Sequence, residues 1–130
     1  MSEALFYLTA TELAVRYRDK TLSPVEVMQA LIERADHVES VINALSHQFF
    51  DEALDQTKQA ETRFASGSPC GPLDGMPVAV KDETMLAGKP CTNGSVALQD
   101  FVSDFNSIEN QRLIDAGAII HARTIRLPVR

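Results

Sequence analysis

The sequence predicts an α/β fold in which helices pack around a mixed, mostly parallel central sheet. Residues 77–80 and 118–122 are apolar runs of strand length, and turn residues bound both of them. A helical pattern lies between the two runs, so these strands are expected to be parallel, because a crossover helix joins parallel neighbours. Helix-start signals upstream extend the predicted order to helix, strand, helix, strand, helix and strand.

Two helix-start signals of the same kind stand in the first part of the chain. Thr9 and Glu12 form a predicted capping box, which should open a helix of about ten residues. Ser23 and Glu26 repeat the box around Pro24 at the first helical position, and helical spacing continues to about residue 38. The predicted buried face of the first helix consists of Leu13, Ala14 and Tyr17.

Three further elements complete the pattern. Residues 41–46 are short and β-branched at their start, which predicts a strand. Asp51 is the predicted N-cap of a third helix that ends at the Gly-Pro-rich residues 66–69. A fourth helix should open at residues 106–109 and end at Gly117. Its predicted inward residues are Ile108, Leu113 and Ile114.

The most informative stretch, residues 71–82, reads Gly-Pro-Leu-Asp-Gly-Met-Pro-Val-Ala-Val-Lys-Asp. Its turns lead into an apolar strand with the pattern of one that is buried on both faces, and the strand ends at Lys81. A lysine in such low-dielectric surroundings can lose its proton near neutral pH and act as a base. Spacing alone favours the simpler interpretation, in which the ammonium reaches water as it does for most lysines at strand ends.

A family resemblance favours the interpretation of Lys81 as a base. The motif residues Leu73, Gly75, Pro77, Lys81 and Asp82 are followed by Gly88, Thr92, Gly94-Ser95 and Ala116-Gly117-Ala118. Together they resemble the amidase signature family over residues 9–124. The resemblance implies the N-terminal part of the amidase-signature α/β/α fold and hydrolysis of amide C–N bonds. It also implies that Lys81 is the general base of a Ser–cisSer–Lys triad.

The sequence departs from the family after Thr124, where residues 125–130 diverge from the usual pattern. No run matches the family's glycine- and serine-rich region, so both triad serines are absent. We therefore expect one partial amidase-like domain: residues 1–66 as N-terminal helices, 67–124 as the lysine-bearing strand, loop, helix and strand, and 125–130 as a divergent tail. The isolated chain should be inactive, and Ile119 and Ile120 should form an exposed apolar sheet edge that favours self-association.

Several alternatives remain open. Ser95 could form a Lys81–Ser95 dyad, and Cys70 or Cys91 could be a nucleophile, although the sequence places no paired histidine or acid near either cysteine. The chain could instead be a non-catalytic binding or assembly module. It could also be a fragment of the amidase-like component of a tRNA-dependent amidotransferase.

Composition limits the partners. The 130 residues carry a net charge of −6 with a pI near 4.9, which argues against general binding to nucleic acid or anionic membranes. The sequence contains no apolar span of 18 residues and no basic signal-peptide start, so we expect a cytoplasmic protein. His37, His47 and His121 lack ligand spacing, so we expect neither a metal nor a cofactor. In the complete enzyme the expected partner is a small-molecule amide.

Overall fold

A computed structural model describes residues 4–125. Of the expected divergent tail, residues 126–130 lie outside this described part. The helices are α1 (Ala10–Arg18), α2 (Pro24–Ile42), α3 (Phe50–Ala65) and α4 (Ile108–Asp115). The strands are β1 (Leu45–Gln48), β2 (Pro77–Lys81) and β3 (Ile119–Thr124), and short 3₁₀ helices cover Leu5–Tyr7 and Val96–Leu98. None of the helices in residues 4–125 combines the length and apolarity needed to cross a bilayer.

The last strand lies at the centre of the sheet. The order is β1-β3-β2, and β3 runs antiparallel to β1 and parallel to β2. The parallel register pairs Pro77 with Ile119 and Lys81 with Thr124, so the carboxyl ends of β2 and β3 lie side by side. The mixed α/β architecture and the parallel pairing predicted from the two apolar runs are confirmed.

Both predicted capping boxes are present. At the start of α1, the Glu12 backbone N–H donates to Thr9 Oγ1 (3.2 Å), and the Thr9 N–H donates to the Glu12 carboxylate (2.7 Å). At the start of α2, the Ser23 N–H donates to the Glu26 carboxylate (2.9 Å), and Pro24 occupies the first turn. These reciprocal bonds satisfy N–H groups that have no partner inside the helix.

The strand predicted at residues 41–46 is present but shifted to Leu45–Gln48, because α2 continues through Val41 and Ile42. Asn43 ends the helix with φ of 48°, a left-handed conformation that asparagine tolerates better than most residues. The Glu39 carboxylate then accepts the N–H groups of Ala44 (3.2 Å) and Leu45 (3.0 Å), so the strand begins only at Leu45.

Two expectations about helix details are also wrong. The N-cap of α3 is Phe49, without a side-chain cap bond, and Asp51 lies within the first turn. In α4, the predicted inward residues Ile108 and Ile114 are 72% and 38% exposed, and the buried residue is Asn110. Asn110 donates from Nδ2 to the Met85 carbonyl (2.7 Å) and to Thr84 Oγ1 (3.0 Å), so α4 packs its polar side on the segment after β2.

The core contains two clusters of buried apolar residues. Leu13, Tyr17, Val27 and Met76 form the first, and Met28, Ala53 and Ile119 form the second. Ile119 is therefore buried under α2 and α3, and the expected exposed edge at Ile119 and Ile120 is wrong for Ile119, while Ile120 is half-buried. Large exposed apolar side chains lie elsewhere. One group is in the N-terminal part of the chain, and another is between β2 and the start of α4: Tyr7, Val41 and Ile42 in the first, and Val96, Val102, Phe105 and Ile108 in the second.

The turn before β2 packs against the turn before β3 with almost no space between them. The Leu73 N–H donates to the Ala116 carbonyl (2.8 Å), and the Gly75 N–H donates to the Gly117 carbonyl (3.2 Å). A Cβ at Gly71 would lie 2.4 Å from the Ala116 carbonyl oxygen. Non-bonded carbon and oxygen atoms do not come so close, so the backbone would have to shift. A glycine is thus required at position 71 by the approach of two backbones.

We expect Gly71→Ala to lower the free energy of unfolding by about 3 kcal/mol, near the upper end of the usual cost of overpacking. Gly67→Ala is the matched control, because Gly67 has φ of +75° but nothing within 4 Å of the added Cβ. Backbone strain alone should cost about 1 kcal/mol there. Urea unfolding of both variants measures the difference, and equal losses would contradict the steric explanation.

Candidate functional site

Lys81 is the last residue of β2, at the edge of the described sheet. Its side chain is 51% exposed, and its Nζ lies 3.5 Å from Oε1 of Glu83. The expectation that this strand is buried on both faces is wrong: Val80 is buried, whereas Ala79 and Lys81 are exposed. The strand pairs on one side only, with β3, so its other edge and part of one face remain open.

The backbone at Lys81 is fixed by a tight turn. The Lys81 carbonyl accepts the Glu83 N–H (2.8 Å) and Nη2 of Arg123 (3.2 Å). The next residue, Asp82, donates its N–H to the Thr124 carbonyl (2.9 Å), which continues the pairing with β3. The lysine thus projects from a constrained backbone, although its own side chain is half in solvent.

A buried ion pair lies directly beneath this turn. The side chains of Arg123 and Asp82 are 0% and 2% exposed, and Arg123 Nε lies 3.2 Å from Asp82 Oδ1. Asp82 also accepts the Thr92 backbone N–H (2.9 Å) and the Thr92 hydroxyl, while Arg123 Nη2 donates to the Thr84 carbonyl. The pair connects β2, β3 and the segment after β2.

The alternative nucleophiles receive little support. Ser95 is the N-cap residue of the 3₁₀ helix Val96–Leu98, and no hydrogen bond joins it to Lys81 in the described part of the chain. Both cysteines are free thiols. Burial raises the pKa of the Cys91 thiol, and partial burial of the sulfur likewise raises the pKa of Cys70, so both thiols favour the protonated, weakly nucleophilic form.

Comparison with known proteins assigns this arrangement to a family. The family model described as Amidase matches residues 26–125, which include Lys81, Asp82 and Arg123. The chain belongs to the amidase family. The resemblance read from residues 9–124 is thereby confirmed at the level of the family.

Curated relatives within the amidase family have more than one activity by name. An amidase of Gibberella zeae is 35% identical over 118 residues, covering 90% of this chain and 22% of that protein. The A-type subunit of the glutamyl-tRNA(Gln) amidotransferase from Salinispora tropica is 38% identical over 116 residues, covering 89% of this chain and 24% of that protein. The chain therefore spans about a quarter of the length of the relatives that it matches.

Solved amidase-family structures have the same fold in the region of overlap. A fatty acid amide hydrolase superposes with a TM-score of 0.86 at 29% identity, covering 95% of this chain and 22% of that chain. A bacterial aryl acylamidase superposes with a TM-score of 0.83 at 26% identity, covering 91% and 25%. The arrangement of helices and mixed sheet is thus the amidase-signature arrangement.

A second ion pair, in which only the carboxylate is fully buried, lies at the opposite end of β2 from Lys81. Arg63 contacts Asp74 through two hydrogen bonds, Nε–Oδ2 at 2.9 Å and Nη2–Oδ1 at 2.6 Å. Burial alone would raise the pKa of Asp74, but the bonds from Arg63 and from the Cys70 N–H outweigh it and hold the pKa below its ordinary value. This pair ties α3 to the turn before β2 and is remote from Lys81 along the strand.

Near the lysine, Glu83 forms part of the wall of a cavity of about 180 Å³. The other lining residues are Met85, Cys91, Asn93, Leu98 and Phe101. The wall is mostly apolar and comes from the segment between β2 and α4. Within residues 4–125 no three histidine, cysteine or acidic side chains are grouped as metal ligands.

The sequence pattern indicated Lys81 as a candidate site residue and included Asp82 in the motif, but it did not indicate Arg123. A usable signal was present, because Arg123 is a charged residue inside β3, a strand that begins with two isoleucines. A buried arginine requires acidic or carbonyl partners, and Asp82 at the end of the neighbouring parallel strand was a candidate. Recognising the pair required the parallel register, which the apolar pattern alone does not give.

Proposed function

We propose that this chain contributes Lys81 as the general base to an amide-hydrolysing site whose two serines lie outside the chain. The observation that carries the proposal is the position of Lys81 within the matched amidase region. It is the last residue of a strand. Hydrogen bonds hold its backbone in place, and its side chain is half exposed. The glycine- and serine-rich run that carries the family's serines has no match in the sequence.

The proposed chemistry is acyl transfer from the amide to a serine. Neutral Lys81 takes a proton from a bridging serine, which takes one from the attacking serine as its oxygen adds to the amide carbonyl. The C–N bond breaks, the leaving amine or ammonia is protonated, and an ester to the serine remains. Water then hydrolyses the ester and releases the carboxylic acid. A lysine accepts a proton only as the neutral amine, so surfaces beyond this chain must cover the half-exposed Lys81.

The relatives suggest a substrate class broader than any one of them. An amidase, a component of a glutamyl-tRNA(Gln) amidotransferase and a fatty acid amide hydrolase have the amide bond in common. We therefore propose small-molecule amides as the substrates. The mostly apolar cavity beside Glu83 is a suitable place for an apolar substituent of such an amide. The acidic composition gives no support to tRNA as a partner.

A chimera provides the test. Residues 26–125 of this chain replace the matched segment of the Gibberella zeae amidase, and release of ammonia or amine is measured on a panel of amides that this amidase hydrolyses. We expect turnover by the chimera and none above buffer by the isolated chain, because the residues of a catalytic triad act as a unit.

The unmodified amidase is the reference for both activity and cooperative melting. A chimera that melts cooperatively but hydrolyses none of the panel would contradict the proposal. It would favour a non-catalytic assembly role, in which exposed apolar side chains such as Val96, Phe105 and Ile108 contact a partner. Turnover by the isolated chain that disappears in Lys81→Ala would contradict its expected inactivity.

A further inference from the structure

The proposed chemistry uses Lys81 but leaves the buried charges beneath it unexplained. Arg123 and Asp82 are both almost completely inaccessible to solvent, and such a pair is expensive to desolvate. Apolar residues of similar volume often give equal or greater stability at such positions. Stability alone is therefore a weak explanation for placing two charges beneath the lysine turn.

The contacts of Arg123 indicate what the pair constrains. Nη2 donates to the carbonyls of Lys81 and Thr84, which are the first and last residues of the tight turn. Nε lies against the Asp82 carboxylate between them. One guanidinium thus spans the whole turn, and it does so from the central strand of the sheet, where the backbone is paired on both sides.

Asp82 extends the constraint to the segment after β2. Its two oxygens accept the backbone N–H and the hydroxyl of Thr92, ten residues further along. Thr92 Oγ1 in turn accepts the Gly94 N–H at 3.3 Å. The position of the lysine turn and the position of the loop that follows it are consequently set by the same two charged side chains.

We infer that Arg123, oriented by Asp82, is a positioning residue that holds the Lys81 turn and the Thr92 loop in fixed relation to the sheet. The catalytic meaning of this inference rests on the proposed function of Lys81, whereas its structural content does not. The guanidinium offers donors from separate atoms in one plane, so Nε can lie against the carboxylate while Nη2 donates to carbonyls. A lysine ammonium keeps the charge but presents all its donors from a single atom.

The first test measures amide hydrogen exchange in the isolated chain for Arg123→Lys, Thr92→Val and the control Asp74→Asn. Asp74→Asn disturbs the other arginine–carboxylate pair, at the far end of β2, in which the carboxylate is buried and the arginine is partly exposed. We expect Arg123→Lys to accelerate exchange of the Asp82 and Glu83 N–H groups about tenfold relative to the slowest-exchanging amides. This is the effect expected from the loss of one charge-assisted hydrogen bond. Thr92→Val should act at the same amides, less strongly and without removing a charge.

The control separates positioning from general destabilisation. In Asp74→Asn, exchange at the Asp82 and Glu83 amides should be accelerated only by the same factor as exchange at the slowest-exchanging amides of the chain. Equal relative acceleration in Asp74→Asn and Arg123→Lys would overturn the inference. The inference would also be overturned if neither Arg123→Lys nor Thr92→Val changed exchange at Asp82 and Glu83 relative to the slowest-exchanging amides.

The second test uses the amidase chimera. Arg123→Lys should lower kcat about tenfold with little change in KM, since a misplaced base affects the chemical step and not substrate binding. Asp74→Asn should leave both constants unchanged. Loss of activity in Lys81→Ala without loss in Arg123→Lys would overturn the positioning inference and leave the proposed function intact. Selective exchange effects at Asp82 and Glu83, combined with full activity of Lys81→Ala, would instead support positioning and contradict the proposed function.

Discussion

Lys81→Ala in the amidase chimera is expected to lower kcat/KM by about 10⁴-fold, the upper range for loss of a general base that works as part of a triad. Alanine can accept no proton, so the bridging serine would keep its proton and the attacking serine would remain a weak nucleophile. Steady-state kinetics on one amide of the panel, with substrate from well below to well above KM, measures the effect. The fold should survive, because the Lys81 side chain is half exposed.

Two further variants make this result specific. Lys81→Arg should lose as much activity as Lys81→Ala, since an arginine stays protonated at any pH the enzyme tolerates. Lys89→Ala should keep kcat, although Lys89 resembles Lys81 in being paired with a glutamate, Glu52. A fall of less than about tenfold in Lys81→Ala is too small for removal of a general base and would exclude that role.

Arg123→Met is expected to lower the free energy of unfolding by about 3–5 kcal/mol, the range for breaking a buried pair by removing one partner. Methionine fills much of the space but leaves the Asp82 carboxylate buried without its counter-ion. Small domains are stable by only about 5–15 kcal/mol, so the variant should be marginally folded. Urea unfolding followed by circular dichroism measures the loss.

A double variant shows whether the unpaired charge is the cause. Arg123→Met combined with Asp82→Leu should recover a large part of the loss, because an apolar pair avoids the desolvation of the carboxylate. The Thr92 N–H would still lack its acceptor, so recovery should be incomplete. A single variant that costs less than about 1 kcal/mol would show that Asp82 finds other compensation.

Local signals predicted the helix starts well because the residues that decide them are close in sequence. Thr9 with Glu12 and Ser23 with Glu26 form their bonds across three residues, independently of the rest of the fold. The predicted start of the strand at residue 41 was wrong for a related reason, since the strand begins at Leu45. The β-branched Val41 and Ile42 resemble a strand, and the left-handed Asn43 that ends the helix after them was not recognised.

Burial was harder to predict because it depends on what packs against an element. Ile108 was expected inward, but α4 lies over the backbone of the segment after β2, and Asn110 is the residue that becomes buried, with its amide donating to the Met85 carbonyl. Ile119 was expected on an exposed edge, but β3 is the central strand beneath α2 and α3. The motif pointed to Lys81 as a candidate. The contact between buried Arg123 and the Lys81 turn could not be predicted in the same way, because it depends on the register between strands that are distant in sequence.

The central position of β3 has a consequence for how the chain folds. β3 is the last regular element in sequence, and through it Leu45 pairs with Thr124 and Pro77 pairs with Ile119. No strand pairing in the described sheet can therefore form until nearly the whole chain is available, although the capped helices need only local contacts. This high contact order predicts slow folding with a large loop-closure cost. During synthesis, helices α1 to α3 should form first and wait, with their apolar faces uncovered, for the strand that completes the sheet.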